Sequence, residues 1–366
     1  MLLGYGVDLV VGELARRLVQ DGHDAVVFTT TFDETYLREG MRIEKLEVFG
    51  GELNRALPVY EWNASRAMKR IREKLEECDV LVPATFPFYG ARCAYSGPVV
   101  HYDFGNVPTE GFSLRGKINW QYLHLVETYL HTLRADAVVT ISQFLAQRFL
   151  PEARRKLHVI HLGGDHYYKA MLQRGETQAV LRTKMRKRLG ISDGEIVLGC
   201  CTRLHRKHAP YKNLSELIDI WHSLKANGLR IRLALAGLGS PEDVDWLRSE
   251  GADPLPNLPP EDMPAFYSAL DIYASPSTWE GFNLPLVEAA WFAVPAVAFN
   301  VAAHPETTAA YLAHSATDMH AYIARLAGDA AMRARLGEEA RQRAQRFTWD
   351  ATYREFYEVL EKVRRR

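Results

Sequence analysis

Short runs of β-branched and aliphatic residues alternate along the chain with longer stretches whose apolar positions recur every three or four residues. Short apolar runs bounded by Gly, Pro, Asp or Ser predict strands, and the longer periodic stretches predict helices packed by one face. The first series of strands is DAVVFTT (24–30), CDVLVPA (78–84), GPVVHYD (97–103), DAVVTIS (136–142) and KLHVIHLGG (156–164). A second series follows: EIVLGCCT (195–202), LRIRLALAG (229–237), LDIYASPS (270–277) and VPAVAFN (294–300). Short apolar strands separated by helices imply parallel sheets with crossover helices on both faces. Two series imply two doubly wound, Rossmann-like α/β domains. The apolar pattern lapses between 164 and 190, which predicts domains over 1–164 and 165–349. The closing FTWDATYREFYEVLEKVRRR reads as an amphipathic helix, with 350–366 expected to complete the first domain.

A chain of 366 residues is long enough for two such domains. Its 47% hydrophobic and 25% charged residues are the balance of a globular protein. Lys plus Arg equals Asp plus Glu, which argues against nucleic acid as a partner, since that needs a basic excess or face. Cys78, Cys93, Cys200 and Cys201 form no C-x-x-C pair and read as reduced thiols of a cytoplasmic protein. No apolar run is long enough for a membrane span, and MLLGYGVDLVV lacks the basic start and cleavage site of a signal peptide.

The chemistry concentrates in SPSTWEGFNLPLVEAAW, 275–291. A strand ends, a loop follows, and a helix starts near Leu284 or Pro285, because Pro suits a first helical turn. Glu280 and the amides of Gly281, Phe282 and Asn283 then sit at a helix N-terminus, where anions and hydroxyl groups bind. Glu288 lies near the end of the first turn. Two carboxylates so placed can hold two parts of one elongated ligand. The plainer alternative is that the helix dipole alone favours acidic residues there.

EGFNLPLVEA resembles the E-x7-E motif, E-G-F-G-L-P-x-x-E-A, of retaining glycosyltransferases of family 4. The resemblance implies the GT-B fold, two Rossmann-like domains facing across a cleft. It implies that Glu288 binds the ribose hydroxyls of a nucleotide-diphosphate sugar and that Glu280 contacts the sugar. Gly281, Phe282, Asn283 and Leu284 are carried over as donor-binding positions; Asn283 departs from the family's Gly. TRLHRKHAPYKNLSELI is similar to the family's G-R-L-x(n)-K-N/G segment, so Arg203 and Lys212 are expected on the donor diphosphate, with Lys207 the alternative. GYGVDLVVGELARRLVQDGHDAVVFT is similar to the family's glycine-rich opening. There Gly6 matches the second glycine and Tyr5 stands in place of the first. The family has a full strand before this turn; here only MLL precedes it, so the first strand is expected to be missing or truncated. VVHYDFGNVP falls where the family carries a His directed at the donor sugar, which makes His101 and Asp103 candidates and leaves Tyr102 open by strict spacing. The resemblance spans nearly the whole chain. It implies no metal and no cofactor beyond the sugar nucleotide, and leaves acceptor, base, sugar and oligomeric state open.

Other clusters have plainer readings. His124, Glu127 and His131 share a helical face that suits a metal less well than a packed or solvated surface. His205 and His208 read as loop surface. RTKMRKR (182–188) and NASRAMKRIREKLEE (63–77) suit anionic lipid at the inner face of a membrane, or simply solvated helix faces. Trp120 and Tyr122 suit either acceptor stacking or a core. The rival functions on the same fold are a sugar-nucleotide epimerase, a phosphorylase lacking its pyridoxal lysine motif, and a non-catalytic nucleotide-sugar-binding partner subunit. A nicotinamide dehydrogenase would need G-x-G-x-x-G at a strand–helix turn, which is absent.

Overall fold

The computed structural model describes residues 6–30, 41–48, 57–85, 88–109, 112–206, 209–307 and 311–365. Tyr5, Lys207 and His208 lie outside the described residues. The chain forms two compact units, Met1–Leu162 with Asp350–Arg366, and Gly163–Trp349.

The second unit holds a six-stranded parallel sheet. Its strands are β6 (Ile196–Cys201), β7 (Ile231–Gly237), β8 (Asp253–Pro256), β9 (Ile272–Ser275), β10 (Ala296–Phe299) and β11 (Tyr311–Ala313). The order is β11-β10-β9-β6-β7-β8, so the direction of strand addition reverses between β6 and β9. Ligands of such sheets gather beyond the carboxyl ends of the strands at that reversal. β6, β7, β9 and β10 are the expected strands; β8 and β11 are added, neither of which pattern alone predicted. Pro254 and Pro256 account for β8: Pro cannot donate to a ladder, and β8 is an edge strand where that is tolerated.

The sheet's two faces are covered by separate apolar layers. Leu198, Leu233, Leu235 and Trp221 belong to one, and Val197, Ala234, Phe266 and Phe292 to the other. Gly237 has φ +141°, and a Cβ there would stand 1.7 Å from the Thr202 carbonyl oxygen. The close approach of β7's end to the chain leaving β6 therefore requires glycine.

The basic stretch 182–188 is largely used internally. Arg182 donates to the carbonyls of Ser268, Ala269 and Leu270 at 3.1, 3.2 and 3.0 Å and to Asp271 at 2.5 Å. Arg186 donates to the Ala269 carbonyl at 3.2 Å and to Asp271 at 3.0 Å. The two arginines satisfy the carbonyls at the buried end of the Met263–Ala269 helix.

In the first unit, α1 (Gly6–Gln20) precedes β1 (Val26–Thr29), which pairs in parallel with β2 (Arg42–Lys45). A separate parallel sheet holds β3 (Val100–Asp103), β4 (Ala137–Thr140) and β5 (Leu157–Val159) in that order. The expected strand at 78–84 is reduced to one bridge, Leu81 to Val99. The closing helix, Trp349–Arg364, contributes Phe356, Val359 and Val363 as buried residues. Cys200 is buried, Cys78 and Cys201 are partly buried, and Cys93 is exposed.

Replacing Gly237 by Ala should lower unfolding stability by more than about 1 kcal/mol, because φ and contact both oppose a side chain. Urea unfolding of the variant should show a lower midpoint with unchanged slope.

Candidate functional site

The carboxyl end of β9 builds the site. Ser275 is its last residue, and the chain then loops to the Leu284–Trp291 helix. Asn283 makes the entry turn in the left-handed region, with φ 70°. Non-glycine residues adopt this region rarely, Asn among the most readily. Its side chain compensates. Asn283 Nδ2 donates to Ser275 Oγ at 2.8 Å and to His304 Nε2 at 2.8 Å. His304 Nδ1 lies 2.7 Å from the Phe299 carbonyl. That carbonyl can only accept, so Nδ1 carries the proton and Nε2 is free to accept from Asn283. Burial keeps His304 below the usual histidine range, which favours this neutral form. The departure at Asn283 is therefore built into a turn locked by its own side chain.

Glu280 precedes that turn. Its Oε1 lies 2.7 Å from Lys212 Nζ, and both side chains are mostly buried. Burial pushes the Glu280 carboxyl up, but Lys212, with smaller contributions from His304 and a Ser277 hydrogen bond, holds the group below the usual carboxylate range. Lys212 ends a 3₁₀ turn, Pro210–Lys212, ahead of the Leu214–Ala226 helix. Arg203 follows β6 and is exposed. The Arg203 guanidinium and the Lys212 ammonium lie 5.4 and 5.2 Å from the centre of the Tyr211 ring. Tyr211 thus gathers the two expected cations, an arrangement no motif announced. Its carbonyl accepts from the Thr278 amide at 2.8 Å, tying the Lys212 loop to the Glu280 loop.

Glu288 sits on the helix that follows and is 4% exposed. Tyr267 donates to its Oε2 at 2.5 Å. His166 Nε2 lies 3.3 Å from its Oε1. Trp349 Nε1 donates to His166 Nδ1 at 3.1 Å, so neutral His166 carries its proton on Nε2, toward the carboxylate. Gly164 allows this approach: a Cβ there would stand 2.6 Å from Val287 Cγ1. Burial raises the Glu288 carboxyl to about 7, the Tyr267 hydrogen bond opposing. The two glutamates of one motif are thus pushed in opposite directions, Glu280 down beside a lysine and Glu288 up by burial.

Of the remaining expected positions, Gly281, Phe282, Asn283 and Leu284 are all buried in the turn that starts the Leu284–Trp291 helix. Gly6 opens α1 in the first unit, with open space where a side chain would be. His101 and Asp103 are buried on β3, 1% and 0% exposed. They belong to a compact charged cluster. His101 Nε2 lies 3.6 Å from Glu127 Oε1, Asn106 donates to Glu127 Oε2 at 2.7 Å, and Arg148 bonds Asp103. Burial opposes ionisation of Glu127, but His101 and Arg148 beside it bring the carboxyl down to about 2. Tyr102, the alternative by strict spacing, turns the other way and stacks on Phe356 at 5.7 Å.

The helical face read as a weak metal candidate is broken by a π-helical turn, Val126–His131. Glu127 and His131 turn inward, His131 pairing with Glu61 at 2.7 Å, while His124 stays exposed. Tyr122 donates to Glu61 at 3.0 Å. His205 is 2.7 Å from Asp243, at the capped start of the Pro241–Ser249 helix. The residues that pattern reading missed are Tyr211, Tyr267, His166 and His304. Each acts through contacts between distant segments, which no local spacing records.

Parallel α/β units with a paired-carboxylate, paired-cation site at a sheet reversal define the GT-B class, and solved structures agree. HepE of Anabaena, crystallised with UDP and glucose, matches 99% of this chain and 97% of its own at 18% identity and TM-score 0.75. The sucrose-phosphate synthase of Thermosynechococcus elongatus matches 98% and 93% at 18% identity and TM-score 0.77. At such identity the likeness is one of fold. Residues 5–166 match the family model Glycosyltransferase Family 4, and residues 182–343 match Glycosyl transferases group 1. The chain belongs to the family 4, group 1 glycosyltransferases. The D-inositol 3-phosphate glycosyltransferase of Corynebacterium kroppenstedtii is 29% identical over 193 residues, covering 49% of this chain and 43% of that relative. The match thus spans less than half of that relative's length.

The raised Glu288 carboxyl links stability to pH. Between about pH 4.5, its ordinary value, and about pH 7, the unfolded chain has released this proton while the folded chain keeps it. Its contribution is whole below pH 4.5 and is lost as pH rises through 7. Glu288→Gln should therefore match the wild type near pH 4. At pH 8 it should exceed the wild type by an amount of order 3 kcal/mol in chemical denaturation.

Proposed function

We propose that the chain transfers a sugar from a nucleotide-diphosphate sugar to a hydroxyl acceptor with retention of anomeric configuration. The observation that carries this reading is the pairing within the second unit of two mostly buried carboxylates, Glu280 against Lys212 and Glu288 against Tyr267, with the cations Arg203 and Lys212 around Tyr211. Glu288 would accept hydrogen bonds from the ribose hydroxyls, and Glu280 would hold the donor sugar. Arg203 and Lys212 would neutralise charge on the departing diphosphate, the role that fixed cations play where a leaving group develops charge. In this scheme that task falls to side chains, with no metal and no cofactor beyond the sugar nucleotide. The acceptor oxygen forms the new glycosidic bond on the face from which the diphosphate leaves, and a phosphate oxygen of the leaving group takes its proton. His101 is proposed to contribute from the first unit, and Gly6 to let backbone approach the donor phosphates. The relative named above acts on an inositol phosphate; a hydroxylated polar acceptor is the corresponding proposal here. No described helix is long and apolar enough to cross a membrane, so contact with one, where the acceptor is a lipid, would be peripheral.

A thermal-shift series with UDP, GDP, ADP and their sugars tests the reading. One nucleotide family at a hundredfold excess over its dissociation constant should stabilise by about 2.7 kcal/mol. The gain should vanish in Glu288→Ala and shrink strongly in Arg203→Ala. No gain from any nucleotide sinks the proposal. Ribose hydroxyls bond best to the ionised carboxylate, so binding near pH 7 should expel part of a proton. Calorimetry in two buffers of different ionisation enthalpy should then give different apparent binding enthalpies.

A further inference from the structure

In the first unit, Val126–His131 winds as a π-helical turn inside an otherwise α-helical run from Leu114 to Arg134. Such wide turns are rare and stand frequently at functional sites. This one buries two titratable side chains, and each meets a group from a distant segment. His131 pairs with Glu61 of the Leu57–Arg70 helix at 2.7 Å. Glu127 meets His101 of β3, Oε1 to Nε2, at 3.6 Å.

The two pairs differ. The His131–Glu61 pair is closed, with Tyr122 donating to the other Glu61 oxygen at 3.0 Å. The His101–Glu127 pair is left open at full burial. Glu127 Oε2 accepts from Asn106 at 2.7 Å. Oε1, however, is buried with no hydrogen-bond partner among the described residues, and so are both ring nitrogens of His101. Arg148 does not fill this gap: it bonds Asp103 and stands 3.5 Å from Glu127 Oε1. Asp103 is further supplied by Thr140 Oγ1 at 2.8 Å and by the Gly105 amide at 3.0 Å. Tyr89, from the Phe88–Cys93 turn, packs its ring 4.8 Å from the His101 ring. Of the groups around His101, Glu127 Oε1 is thus the acceptor not already bonded. A buried ring nitrogen and a buried carboxylate oxygen 3.6 Å apart are one small side-chain rotation from a hydrogen bond. Hydrogen bonds of catalytic groups are often long in a free enzyme and tighten when ligand binds.

We propose that Glu127 is a positioning residue for His101: it accepts from Nε2–H, which fixes one tautomer of the ring and leaves the Nδ1 lone pair to accept from a hydroxyl of the donor sugar. In a neutral imidazole one nitrogen donates and the other accepts, so holding the proton on Nε2 decides what Nδ1 can do. An ionised acceptor makes the stronger bond, which suits a carboxylate to the task. The last step rests on the role proposed above for His101; the tautomer does not.

Nitrogen-15 NMR of the histidine rings at pH 8 tests this in the free protein, with His101→Gln identifying the His101 signals among the 13 histidines. The wild type should show a protonated Nε2 and a bare Nδ1 at His101, and Glu127→Ala should populate both tautomers. A protonated Nδ1 in the wild type overturns the proposal, and so does a His101 ring unmoved in Glu127→Ala. If Glu127→Ala does not fold, the wild-type spectrum decides alone. Binding supplies the second readout, with the sugar nucleotides of the thermal-shift series set against their parent UDP, GDP and ADP. Glu127→Ala should weaken the sugar nucleotide by about tenfold more than its parent, and Glu127→Gln, whose carbonyl still accepts, should restore most of that loss. Equal weakening of both marks a merely structural role and overturns the proposal. The expected tautomer without binding of any nucleotide sinks the transfer reading and keeps the Glu127–His101 pair.

Discussion

The left-handed turn at Asn283 is the constraint on which the second unit's site depends. It converts the end of β9 into a helix start within eight residues, from Ser275 to Asn283. Without it, Glu280 and Glu288 would not share one end of the sheet. The turn carries backbone strain, and the two bonds from the Asn283 amide offset it by satisfying a buried serine and a buried neutral histidine. Glycine would relieve the strain but leave Ser275 and His304 without that donor. Asparagine here trades conformational ease for a stitched scaffold spanning β9, β10 and the loop after it.

The electrostatics follow from that scaffold. One carboxylate is given a lysine and stays charged; its neighbour on the helix is given a dry wall that raises its proton affinity, a tyrosine hydrogen bond opposing. The difference is environmental, since both are glutamates of the same motif. Groups whose environments push their proton affinities apart are where binding and chemistry concentrate. The free protein holds the cost of a buried acid at Glu288, which a ligand with hydroxyl donors is suited to recover.

Much of this was legible in the sequence. Apolar runs marked most of the parallel strands, because strands buried on both faces are continuous in composition. EGFNLPLVEA located both glutamates, the helix start and the family. Pattern failed at the edges, β2, β8 and β11, where short half-covered strands and prolines carry little signal. It also failed for Tyr211, Tyr267, His166 and His304, whose roles arise only when distant segments meet. The basic stretch 182–188 misled in the other direction: two of its arginines cap a buried helix end, which composition cannot distinguish from an open patch.

The four cysteines give the molecule an uneven thiol chemistry. Burial pushes the Cys200 thiol up, and burial with the nearby Glu288 pushes Cys201 up to about 12, so neither offers a thiolate near neutral pH. Cys78 is also raised by burial, while Cys93 alone is exposed. A maleimide dye applied briefly near neutral pH thus has one ready attachment point, in the first unit and remote in sequence from the glutamate motif. The wild-type chain already carries the fluorescent handle by which a change in that unit can be watched.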